Sequence, residues 1–182
     1  MKILKTPIEG PLVLEPKVFE DDRGYFFESF QLDRYREAGI SVNFIQDNES
    51  GSCRGVVRGL HYQLAPWAQA KLVRVIEGRV LDVAVDLRRQ SPTFGKWYGV
   101  ELSSDNKRQF FIPRGFAHGF SVLSDTAVFC YKCDNYYRPE YERGILYNDP
   151  KLAIDWRIPQ SEELISEKDK QHPLFCDAEY NF

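Results

Sequence analysis

The sequence contains few histidines, a single methionine and no long apolar run. Only 3 of its 182 residues are histidine, and 24 Lys and Arg against 27 Asp and Glu give a net charge of −3. This charge balance argues against general nucleic-acid binding, which depends on a basic surface. No segment approaches the roughly 20 apolar residues of a membrane span. We therefore expect neither a nucleic-acid nor a membrane partner.

The four cysteines do not indicate a disulfide framework. Residues 1–7 lack the apolar run of a secretory signal, so we expect a cytoplasmic protein with reduced thiols. Cys130 and Cys133 form a C-x-x-C, but they lie in an alternating apolar stretch and have no second pair. Two strand positions are therefore a better interpretation than a zinc or redox motif.

Composition and periodicity favour a β-rich fold. Aromatic residues make up 14% of the chain, with 12 Gly and 10 Pro, as is typical of short strands joined by many turns. Alternating patterns predict strands at residues 12–19, 25–30, 44–48, 56–63, 70–77, 79–86, 95–103, 109–112, 119–123 and 127–133. Residues 32–38 predict a short helix, and Ser161 is the expected N-cap of a helix in the tail. We expect a single all-β domain over residues 1–182, a jelly roll or another barrel with a ligand inside.

Two histidine segments resemble the paired motifs of the cupin superfamily of β-barrels. The first contains His61 and Gln63, and the second ends at His118. Metal-binding cupins use H-x-H plus a glutamate in the first motif, whereas here Gln63 replaces the second histidine and residues 65–68 include no glutamate. Two imidazoles fall short of the several donors that a transition metal needs. We expect a site without metal or cofactor, whose histidines serve proton chemistry or anion binding.

Three further residues each have a functional and a structural interpretation. Lys71 points into the barrel if the valine face of its strand is inward, but a strand-end lysine also extends readily to water. Tyr131 shares a face with apolar neighbours, so its phenol is expected inside, as a catalytic group or as a core tyrosine bonded to a carbonyl. Asp169 lies three residues after Ser166, the spacing of a helix capping box.

Seven short motifs follow one another along nearly the whole chain. They are residues 22–28 (DRGYFFE), 46–48 (QDN), 58–63 (RGLHYQ), 113–120 (PRGFAHGF), 131–133 (YKC), 148–156 (NDPKLAIDW) and 166–169 (SEKD). Each motif is weak alone, but seven in order are specific. Together they resemble the dTDP-4-dehydrorhamnose 3,5-epimerase family of the cupin superfamily.

The resemblance implies a metal-independent isomerase with a cupin-type jelly-roll barrel and a few short helices, mainly in the C-terminal tail. It implies double epimerisation of dTDP-4-dehydro-6-deoxy-D-glucose to dTDP-4-dehydro-L-rhamnose through an enolate. His61 matches the base, paired with Asp169, and Tyr131 matches the proton donor on the opposite face of the sugar. Lys71 matches the residue beside the keto oxygen.

The resemblance also implies a nucleotide-sugar site and a homodimer. The matching contact residues are Arg23, Phe26, Glu28, Gln46, Asn48, Arg58, Gln63, His118, Glu142 and Lys168, together with Tyr137, which matches an aromatic that stacks on thymine. Family dimers exchange N-terminal strands, so some of these contacts would come from the partner chain.

Four other functions remain open at this point. A mono-epimerase would act at one carbon only, and a keto-isomerase would move the carbonyl instead. A non-catalytic barrel would only bind nucleotide-sugars, although His61, Tyr131 and Lys71 argue for chemistry. A metal-dependent oxygenase is disfavoured by the missing ligands.

Overall fold

The computed structural model describes all 182 residues and contains two facing β-sheets. The first sheet has the spatial order β1 (Lys2–Lys5), β2 (Leu12–Glu15), β10 (Gln109–Ile112), β7 (Lys71–Glu77), β12 (Thr126–Cys133), β5 (Gln46–Cys53). The second has the order β13 (Glu142–Gly144), β6 (Val56–Gln63), β11 (Phe116–Val122), β8 (Arg79–Asp86), β9 (Trp97–Ser103), with β14 (Leu164–Ile165) parallel to β6. Outside them lie the hairpin of β3 (Phe19–Asp21) and β4 (Gly24–Phe26), and the helices α1 (Leu32–Glu37) and α2 (Glu167–Lys170). None of the helices has the length and apolar character that crossing a membrane requires.

The core lies between the sheets because apolar side chains alternate along the strands. In β7, Val73 and Val75 point inward and join the buried cluster between the sheets. Leu72 points outward and packs near Tyr35 of α1. Since side chains two apart share a face, Lys71 lies on the inward face with the valines. The architecture is the predicted cupin-type jelly roll.

The C-terminal segment covers the outer face of the second sheet. Residues of this segment, among them Ile145, Trp156 and Phe175, pack against the outward side chains of β6 and β8. The Trp156 indole N–H donates to the carbonyl of Tyr147 at 2.9 Å. This bond holds the segment around Trp156 against the segment around Tyr147. This path brings α2 alongside β6, at the edge of the barrel interior.

The predicted helix beginning at Ser161 is wrong. Residues Gln160–Glu162 form only one 3₁₀ turn, and the chain then extends as β14. The Leu164 amide donates to the carbonyl of Gly55 at 2.8 Å, so pairing with β6 overrides the local helical signal. The helix starts later, with Ser166 as its N-cap.

Three strands were predicted with the correct bounds, including β8 and β10, which are buried almost throughout. β6, β8 and β10 have the predicted bounds. The predicted run at residues 12–19 is divided, since Pro16 lacks the amide that a continuous strand needs. β1, β13 and β14 were missed because each is short and depends on pairing with a distant strand.

Candidate active site

One end of the barrel opens into two adjoining cavities. The larger has a volume of about 680 Å³ and the smaller about 280 Å³. His61, Lys71 and Tyr131 line both of them. They come from β6, β7 and β12, so both sheets contribute to the wall.

His61 and Asp169 form a close pair at the rim of the larger cavity. The His61 Nε2 lies 2.7 Å from Oδ1 of Asp169, and the second carboxylate oxygen accepts the amide N–H of Gly59 at 3.2 Å. Burial raises the pKa of Asp169, but the hydrogen bonds from His61 and Gly59 outweigh it and hold the pKa below its usual value. The ionised carboxylate fixes the His61 ring and leaves Nδ1 without a protein partner.

The local sequence explains how Asp169 reaches this position. Ser166 caps α2 by accepting the Asp169 amide at 3.1 Å, so the capping box is present. The Asp169 side chain nevertheless turns away from the helix and bonds to β6. Gly59 is needed for the close approach of β6 to β11, because a Cβ there would lie 2.5 Å from Gly119 Cα.

Lys71 and Tyr131 face each other across neighbouring strands. The Lys71 Nζ lies 5.7 Å from the centre of the Tyr131 ring. Burial raises the pKa of Tyr131, so its phenol is protonated at neutral pH. Burial lowers the pKa of Lys71, although Cys133 and Asp82 oppose that effect. The cavity therefore contains a neutral phenol beside an amine whose charged form is disfavoured by burial and favoured by the nearby Asp82.

His118 lies deeper in the larger cavity and is held by an aspartate. Its Nε2 lies 3.0 Å and 3.1 Å from the two carboxylate oxygens of Asp82. Burial lowers the pKa of His118. The ring also stacks near Phe129, at 6.1 Å between centroids. The imidazole is thus fixed in one orientation, with its second nitrogen free.

Five of the predicted contact residues form a polar network around the smaller cavity or its rim. Gln46 donates to Asn48 Oδ1 at 3.2 Å and accepts the amide of Tyr137 at 3.0 Å. The Tyr137 hydroxyl donates to Glu142 at 2.8 Å, and Lys168 binds the same carboxylate oxygen. These bonds orient the Tyr137 ring, which is half exposed, beside the cavity.

Gln63 and Arg58 differ in how free their side chains are. The Gln63 amide donates to the carbonyls of Trp67 and Tyr136 and accepts the amide of Arg138 at 2.6 Å. These bonds use both the nitrogen and the oxygen of the Gln63 side-chain amide to hold the loops that contain Trp67 and Tyr136. Arg58 makes only contacts to Ser52 and Gly51 on β5, so most of its guanidinium is free for an anion.

Arg23, Phe26 and Glu28 do not line either cavity. They lie on or after the β3–β4 hairpin, where Arg23 pairs with Asp21 and Glu28 with Arg34. Phe26 is 69% exposed. Within one chain, these three predicted residues are therefore separate from the others.

Two residues of this region were not predicted from the sequence. Asp82 interrupts the inward apolar face of β8, and that interruption was a readable signal. His172 lies against His61 at 5.5 Å between ring centroids. The only signal for His172 was the rarity of histidine, because its position depends on the path of the tail.

The barrel and its lined cavity define the class of the protein, a cupin-type isomerase. Residues 5–177 match the family model described as dTDP-4-dehydrorhamnose 3,5-epimerase. The chain is 56% identical to the dTDP-4-dehydrorhamnose 3,5-epimerase of Shigella flexneri over 99% of both chains. It therefore belongs to the dTDP-4-dehydrorhamnose 3,5-epimerase family.

Solved structures agree with this assignment. The crystal structure of dTDP-4-dehydrorhamnose 3,5-epimerase from Elizabethkingia anophelis NUHP1 has a TM-score of 0.94 and 56% identity, with 97% of each chain covered. The dTDP-6-deoxy-D-glucose-3,5-epimerase of Legionella pneumophila, in complex with dTDP-4-keto-L-rhamnose, has a TM-score of 0.91 and 55% identity. That comparison covers 95% of this chain and 92% of the other.

Proposed function

We propose that the protein inverts both carbons beside the keto group of dTDP-4-dehydro-6-deoxy-D-glucose and forms dTDP-4-dehydro-L-rhamnose. The single observation that carries the proposal is the His61–Asp169 pair, which opens on the same cavity as Tyr131 and Lys71. The names of the relatives support the substrate and the double inversion.

In this proposal His61 is the base. A keto group acidifies the C–H bonds of both neighbouring carbons, and imidazole has a suitable pKa for removing such a proton near neutral pH. Because Nε2 bonds to Asp169, Nδ1 is the nitrogen that takes the proton. The carboxylate then stabilises the imidazolium, as in a catalytic triad without a nucleophile.

Lys71 and Tyr131 complete the reaction in this proposal. The charge of the enolate develops on the former keto oxygen, so a cation fixed beside that oxygen stabilises the transition state more than the substrate. Lys71 takes this position, where the negative charge that develops on the oxygen favours the protonated amine and opposes the effect of its burial. The buried phenol of Tyr131 returns a proton to the opposite face of the carbon, and its raised pKa keeps that proton available at pH 7.

The nucleotide half of the substrate has its own contacts in this proposal. The planar guanidinium group of arginine binds phosphate oxygens through pairs of hydrogen bonds. The guanidinium of Arg58, at the rim of the larger cavity, suits the diphosphate. Tyr137 offers a ring for thymine at the smaller cavity. All four cysteines are free thiols, which is consistent with a protein of a reducing compartment such as the cytoplasm.

A homodimer with exchanged N-terminal strands completes the site in this proposal. Phe19, Tyr25 and Phe26 expose more than half of their surface on the β3–β4 hairpin, which is unfavourable for a lone chain. β5 also has a free edge at the end of the first sheet, and such edges pair readily with another strand. The hairpin would carry Arg23 into the partner's cavity.

Mixed dimers test this exchange. A dimer of one His61→Asn chain and one Arg23→Ala chain, purified through two different tags, should have one intact site and one site with both changes. We expect about half of the wild-type turnover, far above either parent. If each chain supplied its own Arg23, both sites would carry one defect, and activity at the parental level would contradict the exchange.

Incubation with dTDP-4-dehydro-6-deoxy-D-glucose in heavy water tests the reaction itself. We expect deuterium at both carbons that flank the keto group, and NMR of the product should show both inverted. Deuterium and inversion at one carbon only would make the protein a mono-epimerase. A substrate that stays unlabelled would overturn the proposal.

A further inference from the structure

We propose that His61, Asp169 and His172 form a binding site for a divalent transition metal such as Zn²⁺, and that metal bound there switches the enzyme off. One donor atom from each of the three residues lies within 4.8 Å of the others. Two imidazoles and a carboxylate are a donor set that zinc prefers, and a fourth position is left for water.

The unusual feature of this cluster is His172. Its Nδ1 is buried and has no hydrogen-bond partner, whereas buried polar atoms nearly always have one. The ring packs edge-on to His61, with 85° between the ring planes. An unpaired nitrogen held beside a histidine–aspartate pair is available to bind a metal ion.

The sequence makes room for this ring at Gly144. In β13, Gly144 is paired with His61, and a Cβ there would lie 2.2 to 2.5 Å from three atoms of the His172 ring. Any other residue at position 144 would push His172 away. The backbone therefore seats His172 directly beside the proposed base.

Small side-chain movements would complete the coordination. Donor atoms in a tetrahedral zinc site lie roughly 3.3 Å apart, given metal bonds of about 2.0–2.2 Å. The 2.7 Å contact between His61 Nε2 and Asp169 Oδ1 would widen slightly, and donor separations of up to 4.8 Å would shorten by up to about 1.5 Å. The Gly59 amide would still hold the other oxygen of Asp169, as outer-shell partners do in metal sites.

Metal at this position would disable His61 through its tautomer. In the active form the neutral ring donates its Nε2 proton to Asp169 and keeps the Nδ1 lone pair for the substrate. A metal needs the lone pair on Nε2, so the neutral ring carries its proton on Nδ1 instead. No net proton is released, but the lone pair that acts as base is lost. The metal would lie on the Nε2 side of the ring, away from the substrate-facing Nδ1, and His172 lines neither cavity. We therefore expect lower kcat with little change in KM.

The inhibition rests on the proposed role of His61, whereas metal binding does not, so the test measures them separately. Chelator-treated protein is titrated with Co²⁺, and its visible absorption reports imidazole-containing coordination. We expect one Co²⁺ per chain in the wild type and at least about tenfold weaker binding in His172→Asn. Absence of Co²⁺ binding by the wild type, or equal affinity in both proteins, would overturn the site.

Zn²⁺ inhibition is then measured on the same proteins, each relative to its own metal-free activity. We expect reversible loss of kcat in the wild type, recovery with EDTA, and a shift of the inhibitory concentration by at least about tenfold in His172→Asn. His172→Phe provides a second variant that fills the space without a donor. Cys53→Ser and Cys176→Ser remove the two exposed thiols and should leave inhibition unchanged. Loss of inhibition in those two variants would assign the metal to the thiols and overturn the proposal.

Discussion

Replacing His61 by asparagine should abolish deuterium incorporation at both carbons together with product formation. A positioned base contributes about 10²–10⁴-fold, and the other imidazole that lines the cavity, His118, is hydrogen-bonded to Asp82 instead. Asparagine keeps a hydrogen-bond donor near the carboxylate, so the cavity should retain its shape. The measurement is the rate of deuterium exchange by mass spectrometry, alongside product formation by NMR.

The matched control is the same substitution at the neighbouring histidine. His172 lies behind His61 and lines neither cavity, so His172→Asn should retain most metal-free activity. Binding of dTDP should be close to wild type in both variants, which separates loss of chemistry from loss of folding. Exchange near the wild-type rate in His61→Asn would refute the role of His61 as base.

Strand alternation predicted which side chains of the site share a face, although for β7 it left open which face points inward. Lys71 follows from the valines of β7, and Tyr131 from Ala127 and Phe129 of β12. The two-residue period of a strand shows which side chains lie on the same face, and the order of the seven motifs indicates the family. His61, Lys71 and Tyr131 come from three different strands. The pairing that brings these strands together is not evident from their spacing in the sequence.

Positions outside the strands were less predictable. Asp169 has a capping spacing in the sequence, and only the packing of the tail against β6 directs its side chain to His61. His172 depends on the same path and on the missing side chain at Gly144. Arg23 shows a further limit, since its place in the proposed site depends on a second chain.

Replacing Tyr131 by phenylalanine should separate proton removal from inversion. His61 remains able to take a proton from carbon and to return a solvent-derived one to the same face, so deuterium exchange continues. Delivery to the opposite face loses its donor, so net epimerisation should fall by about 10²-fold or more. The ratio of exchanged substrate to inverted product should therefore rise at least about tenfold above the wild-type value.

Tyr98→Phe is the control, because Tyr98 packs on the core cluster and lines neither cavity. It should leave the ratio of exchange to inversion unchanged. The ratio also distinguishes a proton donor from a binding residue, since a tyrosine that only positions the sugar would affect both steps alike. Equal loss of exchange and inversion in Tyr131→Phe would place Tyr131 in binding and require another proton donor, for which Lys71 is the neighbouring candidate that lines both cavities.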